Sequence, residues 1–175
     1  PEDIFDQKTR INAVGPSAKV SASPRTKDIN ALVDMISASQ RPLVLVGGAL
    51  LAEAVSEEGV LSKLNTLAET YALPICPTHR RPHLFDSHHP NYGGYMGIRV
   101  PGPLIDEMRK ADLLIALGER LTDTVSQSYT FPTAPQPQIP LVHVWPDANE
   151  VGRVWHPMLG IPASPKEVIE ALLER

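Results

Sequence analysis

The sequence predicts an α/β domain, a parallel sheet with helices on both of its faces. Three observations carry that prediction. Residues 43–46 and 113–117 are short, wholly apolar runs, the mark of strands buried on both faces. Between such runs lie segments with apolar residues at helical spacing. Glycine or proline follows each of the first three strands, and strands alternating with helices favour parallel pairing through right-handed crossovers.

The elements follow in order. Thr26 opens a helix whose Ile29, Leu32, Val33 and Ile36 keep i, i+3, i+4, i+7 spacing. It ends before Arg41-Pro42, because a residue preceding proline is pushed out of the α region. Strand 43–46 comes next, then Gly47-Gly48. Residues 49–71 read as helical with a break at Gly59, and Val60, Leu64, Leu67 and Tyr71 form the apolar face of the second half. Residues 73–76 read as a short strand. Residues 77–102 read as a long loop rich in Pro, His and Gly; its apolar residues keep no period, so it is expected to be the least protected part of the fold. A short helix over 104–110 precedes strand 113–117, which ends at Gly118. Residues 123–138 read as a Pro/Ser/Thr/Gln-rich loop, 139–145 as another strand and 148–153 as a helical turn. Ser164-Pro165-Lys166-Glu167 is a capping box with proline at the first helical position. It opens a last helix striped by Val168, Ile169, Leu172 and Leu173.

Composition removes several function classes. Of 175 residues, 42% are hydrophobic and 21% charged, which excludes disorder. The 16 Lys and Arg against 20 Asp and Glu give a net charge of −4, opposite to the basic excess expected for nucleic acid or a membrane surface. A single cysteine forms no disulfide framework within the chain. The longest apolar run falls far short of the roughly 20 residues of a membrane span, and no charged-then-apolar leader opens the chain; a cytoplasmic protein is expected. The 18 prolines, about twice the usual share of roughly 5%, sit between the apolar runs. Residues 1–27 have linker composition (Gly15-Pro16-Ser17, Ser21, Ser23, Pro24) and read as a join from something longer, with the domain proper over 28–175.

In parallel sheets ligands sit outside the carboxyl ends of the strands. Gly47-Gly48, between a strand and a helix, reads either as a tight turn or as a place where backbone N–H groups meet a phosphate. Gly118-Glu119-Arg120-Leu121-Thr122-Asp123 follows strand 113–117 and belongs on the same edge. Arg120 there suits a phosphate or an ion pair with Asp123. The candidate cofactor-binding set is Gly47, Gly48, Thr78, Gly118, Arg120 and Asp123. Cys76, His79, His83, Asp86, His88 and His89 have metal-ligand types but lack the paired short spacings of a zinc site. They read as loop histidines beside a small core cysteine. His143 reads as a hydrogen-bonded histidine of its strand. Asp147 suits a ribose hydroxyl or a cap. No G-x-S-x-G elbow, Walker loop or His/Glu zinc helix is present, and no catalytic or metal-binding residue is assigned.

Five segments together resemble a known family. Arg41-Pro42-Leu43-Val44-Leu45-Val46-Gly47-Gly48 is similar to the "RP-apolar-GG" opening of the central domain of thiamine-diphosphate-dependent enzymes. Leu73-Pro74-Ile75 resembles its "hPV" strand, and His89-Pro90-Asn91-Tyr92-Gly93-Gly94-Tyr95-Met96-Gly97 its "HP-x-Y-x-G-x-x-G" loop. Residues 111–121, from Ala111-Asp112 through Gly118-Glu119-Arg120-Leu121, resemble its "ADLhhhhGxRh" strand. Pro140-Leu141-Val142-His143-Val144 resembles the "hhHh" strand that follows. Order and spacing agree over residues 28–174, and Pro1-Glu2-Asp3-Ile4 resembles the tail of the preceding pyrimidine-binding domain.

The resemblance implies a Rossmann-like parallel layer of about six strands. It also implies a parent enzyme of the acetolactate synthase, benzoylformate decarboxylase or pyruvate oxidase kind. These lyases and transferases cleave or join a 2-oxo acid's carbon–carbon bond through thiamine diphosphate and Mg²⁺, held by the two flanking domains. The parent is expected to be a homo-oligomer whose loop 77–102 faces those domains, with the central domain itself non-catalytic. Some members bind FAD or ADP in this domain. Where acetolactate synthases read "GxRFDDR", this chain has Leu121-Thr122-Asp123-Thr124 after Arg120, and Trp145 stands where many members end the next strand with an acid. Both changes remove groups that hold a nucleotide. The alternative is a free-standing nucleotide-binding module for FAD, ADP or NAD, since sirtuin-type deacetylases and electron-transfer flavoproteins have related layers.

Overall fold

The structure, a computed structural model, describes residues 20–175 together with Lys8 and Gly15. The linker reading of residues 1–27 therefore lies, for its first 19 residues apart from those two, outside the described residues.

Five strands form one all-parallel sheet in the order β2-β1-β3-β4-β5. They are β1 (Pro42–Val46), β2 (Ile75–Pro77), β3 (Leu113–Leu117), β4 (Leu141–Trp145) and β5 (Leu159–Pro162). The helices are α1 (Thr26–Ala38), α2 (Gly48–Ser56), α3 (Val60–Thr70), α4 (Gly102–Met108) and α5 (Pro165–Leu173). This is a Rossmann-like α/β fold. The chain steps from β1 outward to β2, then crosses back over β1 to β3. The switch point thus lies between the ends of β1 and β3, where Val46 pairs with Leu117.

The wholly apolar strands are what a two-faced sheet requires. Val44, Val46, Ile115, Leu117, Val142, Val144 and Ile161 face one core, closed by α1, α2, α3 and α5. Leu43, Leu45, Leu114, Ala116 and Leu141 face the other, closed by Ile105 and Met108 of α4 and by the loop residues Met96, Leu121, Val125, Phe131 and Trp155. Each such side chain contributes about 1.5–3 kcal/mol on burial. Gly59, at φ +86°, divides α2 from α3. The Ser164 half of the capping box is formed, the Glu167 amide donating to Ser164 Oγ at 3.2 Å, while the Ser164 amide donates to the Ala22 carbonyl at 2.8 Å in place of the Glu167 side chain. None of the described helices is long and apolar enough to cross a membrane.

Two features depart from the expectations. Strand β5 has no counterpart in the sequence reading, because Gly160 and Pro162 both disfavour a strand. It is an edge strand, paired on one side with β4, and proline is tolerated there. Loop 77–102 is docked, not loose: Leu84, Phe85, Met96 and Val100 are buried. Its segment 91–96 runs along the open edge of β2. The Ile75 amide donates to the Asn91 carbonyl and the Gly93 amide to the Ile75 carbonyl, each at 2.8 Å, and the Met96 amide donates to the Pro77 carbonyl at 2.9 Å. The sheet thus has five strands where about six were expected, and this segment covers the edge of β2.

Candidate functional site

The carboxyl ends of β1, β2 and β3 bring together Gly47, Gly48, Thr78, Gly118 and Arg120. Backbone pairing does this: the Gly47 amide donates to the Leu117 carbonyl at 3.4 Å, and the Thr78 amide to that of Val46 at 3.1 Å. Gly118 turns the chain at φ +67°, and the Cβ of any other residue there would lie 2.8 Å from the Leu50 amide nitrogen. The Gly118 carbonyl accepts from the Ala49 amide at 3.0 Å, satisfying one donor of the α2 N-terminus.

The residue that organises this edge is Glu119, which lies in the turn between two residues of the predicted set. It is 6% exposed. Its Oε1 accepts from the Leu121 amide at 3.0 Å. Its Oε2 lies 2.5 Å from Thr78 Oγ1, which also lies 3.0 Å from the Val46 carbonyl oxygen. The Thr78 hydroxyl has one proton for these two acceptors. The Val46 carbonyl already accepts from the Thr78 amide, which leaves the hydroxyl to donate to Glu119 Oε2. Burial pushes the carboxyl above the ordinary carboxylate range against the hydrogen bonds from Thr78 and the Leu121 and Arg120 amides and against nearby Arg81.

The Glu119 carbonyl lies 3.1 Å from His143 Nε2. A carbonyl only accepts, so Nε2 carries the proton, and Nδ1 is buried with no hydrogen-bond partner. Burial pushes the imidazole below its ordinary value, keeping it neutral. His143 is the hydrogen-bonded histidine expected.

Outside this buried group lies a cleft of about 280 Å³, lined by Gly48, His79, Arg80, Arg81, Arg120 and Trp145 with Glu119. Arg80 adopts φ +62° and its amide donates to the Tyr95 hydroxyl at 3.0 Å. Arg81 donates through Nη1 to the Arg80 carbonyl at 2.9 Å, while its buried Nε has no partner. Arg120 pairs with Glu150 at 3.0 Å and lies 5.9 Å over the Trp145 ring, a cation–π contact. Asp123 is exposed and does not pair with Arg120; it lies beside it along a second cleft with Tyr129 and Arg153. Three guanidinium groups line the first cleft, one of them already paired with Glu150. The sequence reading missed Arg80, Arg81 and Glu119, because nothing in their spacing shows that they converge.

The remaining candidates separate. Cys76 is buried in the core and burial pushes its thiol up to about 12, so it is not a nucleophile. His88 pairs with Asp86 and His89 with Glu69. Among the described residues no three of His, Cys, Asp and Glu come together as a group that could hold a metal ion. At the α2 N-terminus the Ala49 amide is already taken by the Gly118 carbonyl, and Glu119 packs against the open side of Gly47. Asp147 caps a turn, accepting from the Asn149 amide at 2.9 Å.

Comparison with known proteins agrees with this architecture. Residues 29–172 match the thiamine pyrophosphate enzyme central domain. The chain is 29% identical over 181 residues to acetolactate synthase of Mycobacterium avium, covering 99% of this chain and 27% of that protein. It is 29% identical over 180 residues to a probable acetolactate synthase large subunit of Methanocaldococcus jannaschii, covering 99% of this chain and 29% of the relative. With the acetolactate synthase large subunit of Corynebacterium glutamicum the identity is 26% over 160 residues, 91% of this chain and 24% of that one. The chain thus spans less than a third of the length of these relatives. With the parallel sheet and the match over nearly all of its described residues, the chain belongs to the central-domain family of thiamine pyrophosphate enzymes.

Proposed function

We propose that this chain serves as the non-catalytic central domain of a thiamine-diphosphate-dependent enzyme of the acetolactate-synthase kind. Such an enzyme would cleave or join the carbon–carbon bond next to the carbonyl of a 2-oxo acid. The observation that carries this reading is the match of residues 29–172 to the central domain. In this reading thiamine diphosphate and Mg²⁺ belong to a pyrimidine-binding and a diphosphate-binding domain of a homo-oligomeric, cytoplasmic parent. Residues 1–27 lead in from the first of these, and the central domain packs against both. A switch point filled by the chain's own Glu119 and Thr78 supports a packing role over a ligand-turnover role. The alternative is a free-standing module for FAD, ADP or NAD.

The test is calorimetry and turnover on the chain alone. With a 2-oxo acid, thiamine diphosphate and Mg²⁺ it should form no carbon–carbon bond and bind no thiamine diphosphate. Tight thiamine diphosphate binding by this chain alone overturns the proposal.

A further inference from the structure

Apart from Cys76, His143 is the only titratable side chain carried by the five strands. It is 3% exposed. Its register partners are small, Ala116 on β3 and Gly160 on β5, and Val151 fills the space beside Gly160. Alternation along β4 puts His143 on the same face as Leu141, toward the core that Leu121, Val125, Phe131 and Trp155 close. The neutral ring donates from Nε2 to the Glu119 carbonyl and leaves only the Nδ1 lone pair without a partner. The charged ring would leave a second N–H there with no acceptor, and a full charge with it, which is far more costly. We propose that His143 is an acid trigger built into β4: protonating its ring lifts segment 121–138, the irregular cover of this face, off the sheet.

The cover is the part of this face best able to move. Residues 121–138 form no helix or strand, and their backbone hydrogen bonds are largely internal, as from Thr130 and Phe131 to the Ser126 carbonyl. Their outward ties are few. Trp155 Nε1 donates to the Pro132 carbonyl at 3.2 Å, the His156 amide to the Pro135 carbonyl at 2.8 Å, and the Gln127 side chain reaches Gly97 and Val100. Little stands ready to offset a charge on the ring. β3 and β5 carry no ionisable side chain. The cover has only Asp123 and Tyr129, and α4 only Asp106 and Glu107, all exposed. Beyond β4, Glu150 favours the charged ring, but Arg120 and Arg153 already share that carboxylate; Asp147, Arg153 and His156 are exposed. The Glu119 carboxyl is turned to Thr78 and the Leu121 amide. Burial outweighs these groups and holds the imidazole below its ordinary value. The stabilisation is therefore complete above the unfolded imidazole value of about 6.5 and is lost as pH falls from there through the folded value.

The experiment compares amide hydrogen exchange in the native 175-residue chain and in His143→Gln from about pH 7.5 down to about pH 5. Glutamine keeps an N–H for the Glu119 carbonyl and carries no charge. Glu119 titrates in both chains, so its own pH dependence cancels in the comparison. With exchange corrected for its intrinsic pH dependence, the Ser126, Thr130 and Phe131 amides of the native chain should lose protection relative to the variant. The loss should start below the ordinary imidazole value and reach up to about tenfold per pH unit. The Val44 amide of β1 should keep its protection in both chains. Parallel protection in the two chains across the range overturns the proposal. So does a loss shared equally by Val44, since the molecule would then open as a whole and not at its cover. If the glutamine variant does not fold, NMR of the ¹⁵N-labelled imidazole in the native chain decides. The His143 ring should stay neutral with its proton on Nε2 below the ordinary value, and charge only together with a shift of the Phe131 amide. A ring that titrates at the ordinary value while residues 121–138 stay in place overturns the proposal.

Discussion

Glu119 packs its carboxyl against the bare Cα of Gly47, so closely that a methyl group on Gly47 would come within 2.2 Å of Oε2 and 2.8 Å of the Glu119 backbone. The carboxylate can move, but the Cα can move only with strand β3. Gly47→Ala should therefore destabilise the fold by about 1–3 kcal/mol, the usual cost of overpacking. Gly48→Ala should stay within about 0.5 kcal/mol of the native chain, because its nearest neighbour is the flexible end of Arg81. Urea denaturation of the two variants checks the contrast, and equal losses would contradict it.

The raised pKa of Glu119 should be visible as a pH dependence. Burial raises this carboxyl above its unfolded value, so the folded state holds the proton more tightly than the unfolded chain. The sign follows: the native chain is best off below the ordinary carboxylate value and loses stability as pH rises through that range toward the folded value. The Thr78 hydroxyl, the Leu121 and Arg120 amides and the charge of Arg81 face the same carboxyl and moderate the effect. Glu119→Gln keeps the shape of the protonated acid, with its amide placed to donate to Thr78. The variant should gain on the native chain as pH rises from acid to neutral. A stability difference that does not change with pH would show that folding leaves the Glu119 pKa unshifted, and one that changes in the opposite sense would show that the folded state holds the carboxyl ionised.

The docked loop predicts a protection pattern. Gly93 and Met96 give their amides to Ile75 and Pro77, and Met96 is wholly buried. Their amides should exchange slowly, with those of β2, while Ile98, 72% exposed, marks the fast part of the same loop. Met96→Ala should cost about 2–5 kcal/mol, as for other buried large-to-small changes. Uniformly fast exchange across 91–96 would restore the picture of a loose, partner-facing loop.

The limits of legibility have physical causes. β1 and β3 were plain in the sequence because a strand buried on both faces must be apolar at every position. The cap at Ser164 was plain because its partner is three residues away. The edge segment 91–96 was not, because it is held by backbone hydrogen bonds, which leave no side-chain period. β5 was hidden by Gly160 and Pro162, which an edge strand tolerates. At the site, the glycines marked the right edge of the sheet, since a turn after a strand has a local signature. Glu119 was not singled out because its neighbours, Gly47 and Thr78, are brought to it by strand pairing across 72 and 41 residues of sequence.

Asp112 offers a last test, at the other end of the same strand. It sits just before β3, and its two carboxylate oxygens gather the corner between α1 and β1. Ser39 Oγ and the Arg41 amide, at 2.9 Å, donate to Oδ1, and the Gln40 amide donates to Oδ2 at 2.8 Å. The Ser39 hydroxyl first, and then the backbone amides, hold its pKa below the ordinary aspartate value. For an acid lowered in this way the stabilisation is complete above the unfolded pKa and is lost as pH falls through the folded one. Asp112→Ala should therefore unfold at a lower temperature than the native chain at neutral pH, and the two melting curves should draw together in acid. Ser39→Ala should show a smaller effect of the same sign, since the two amides still reach the carboxylate. A gap between Asp112→Ala and the native chain that persists unchanged into strong acid would mean that the corner is held by packing, not by the carboxylate's charge.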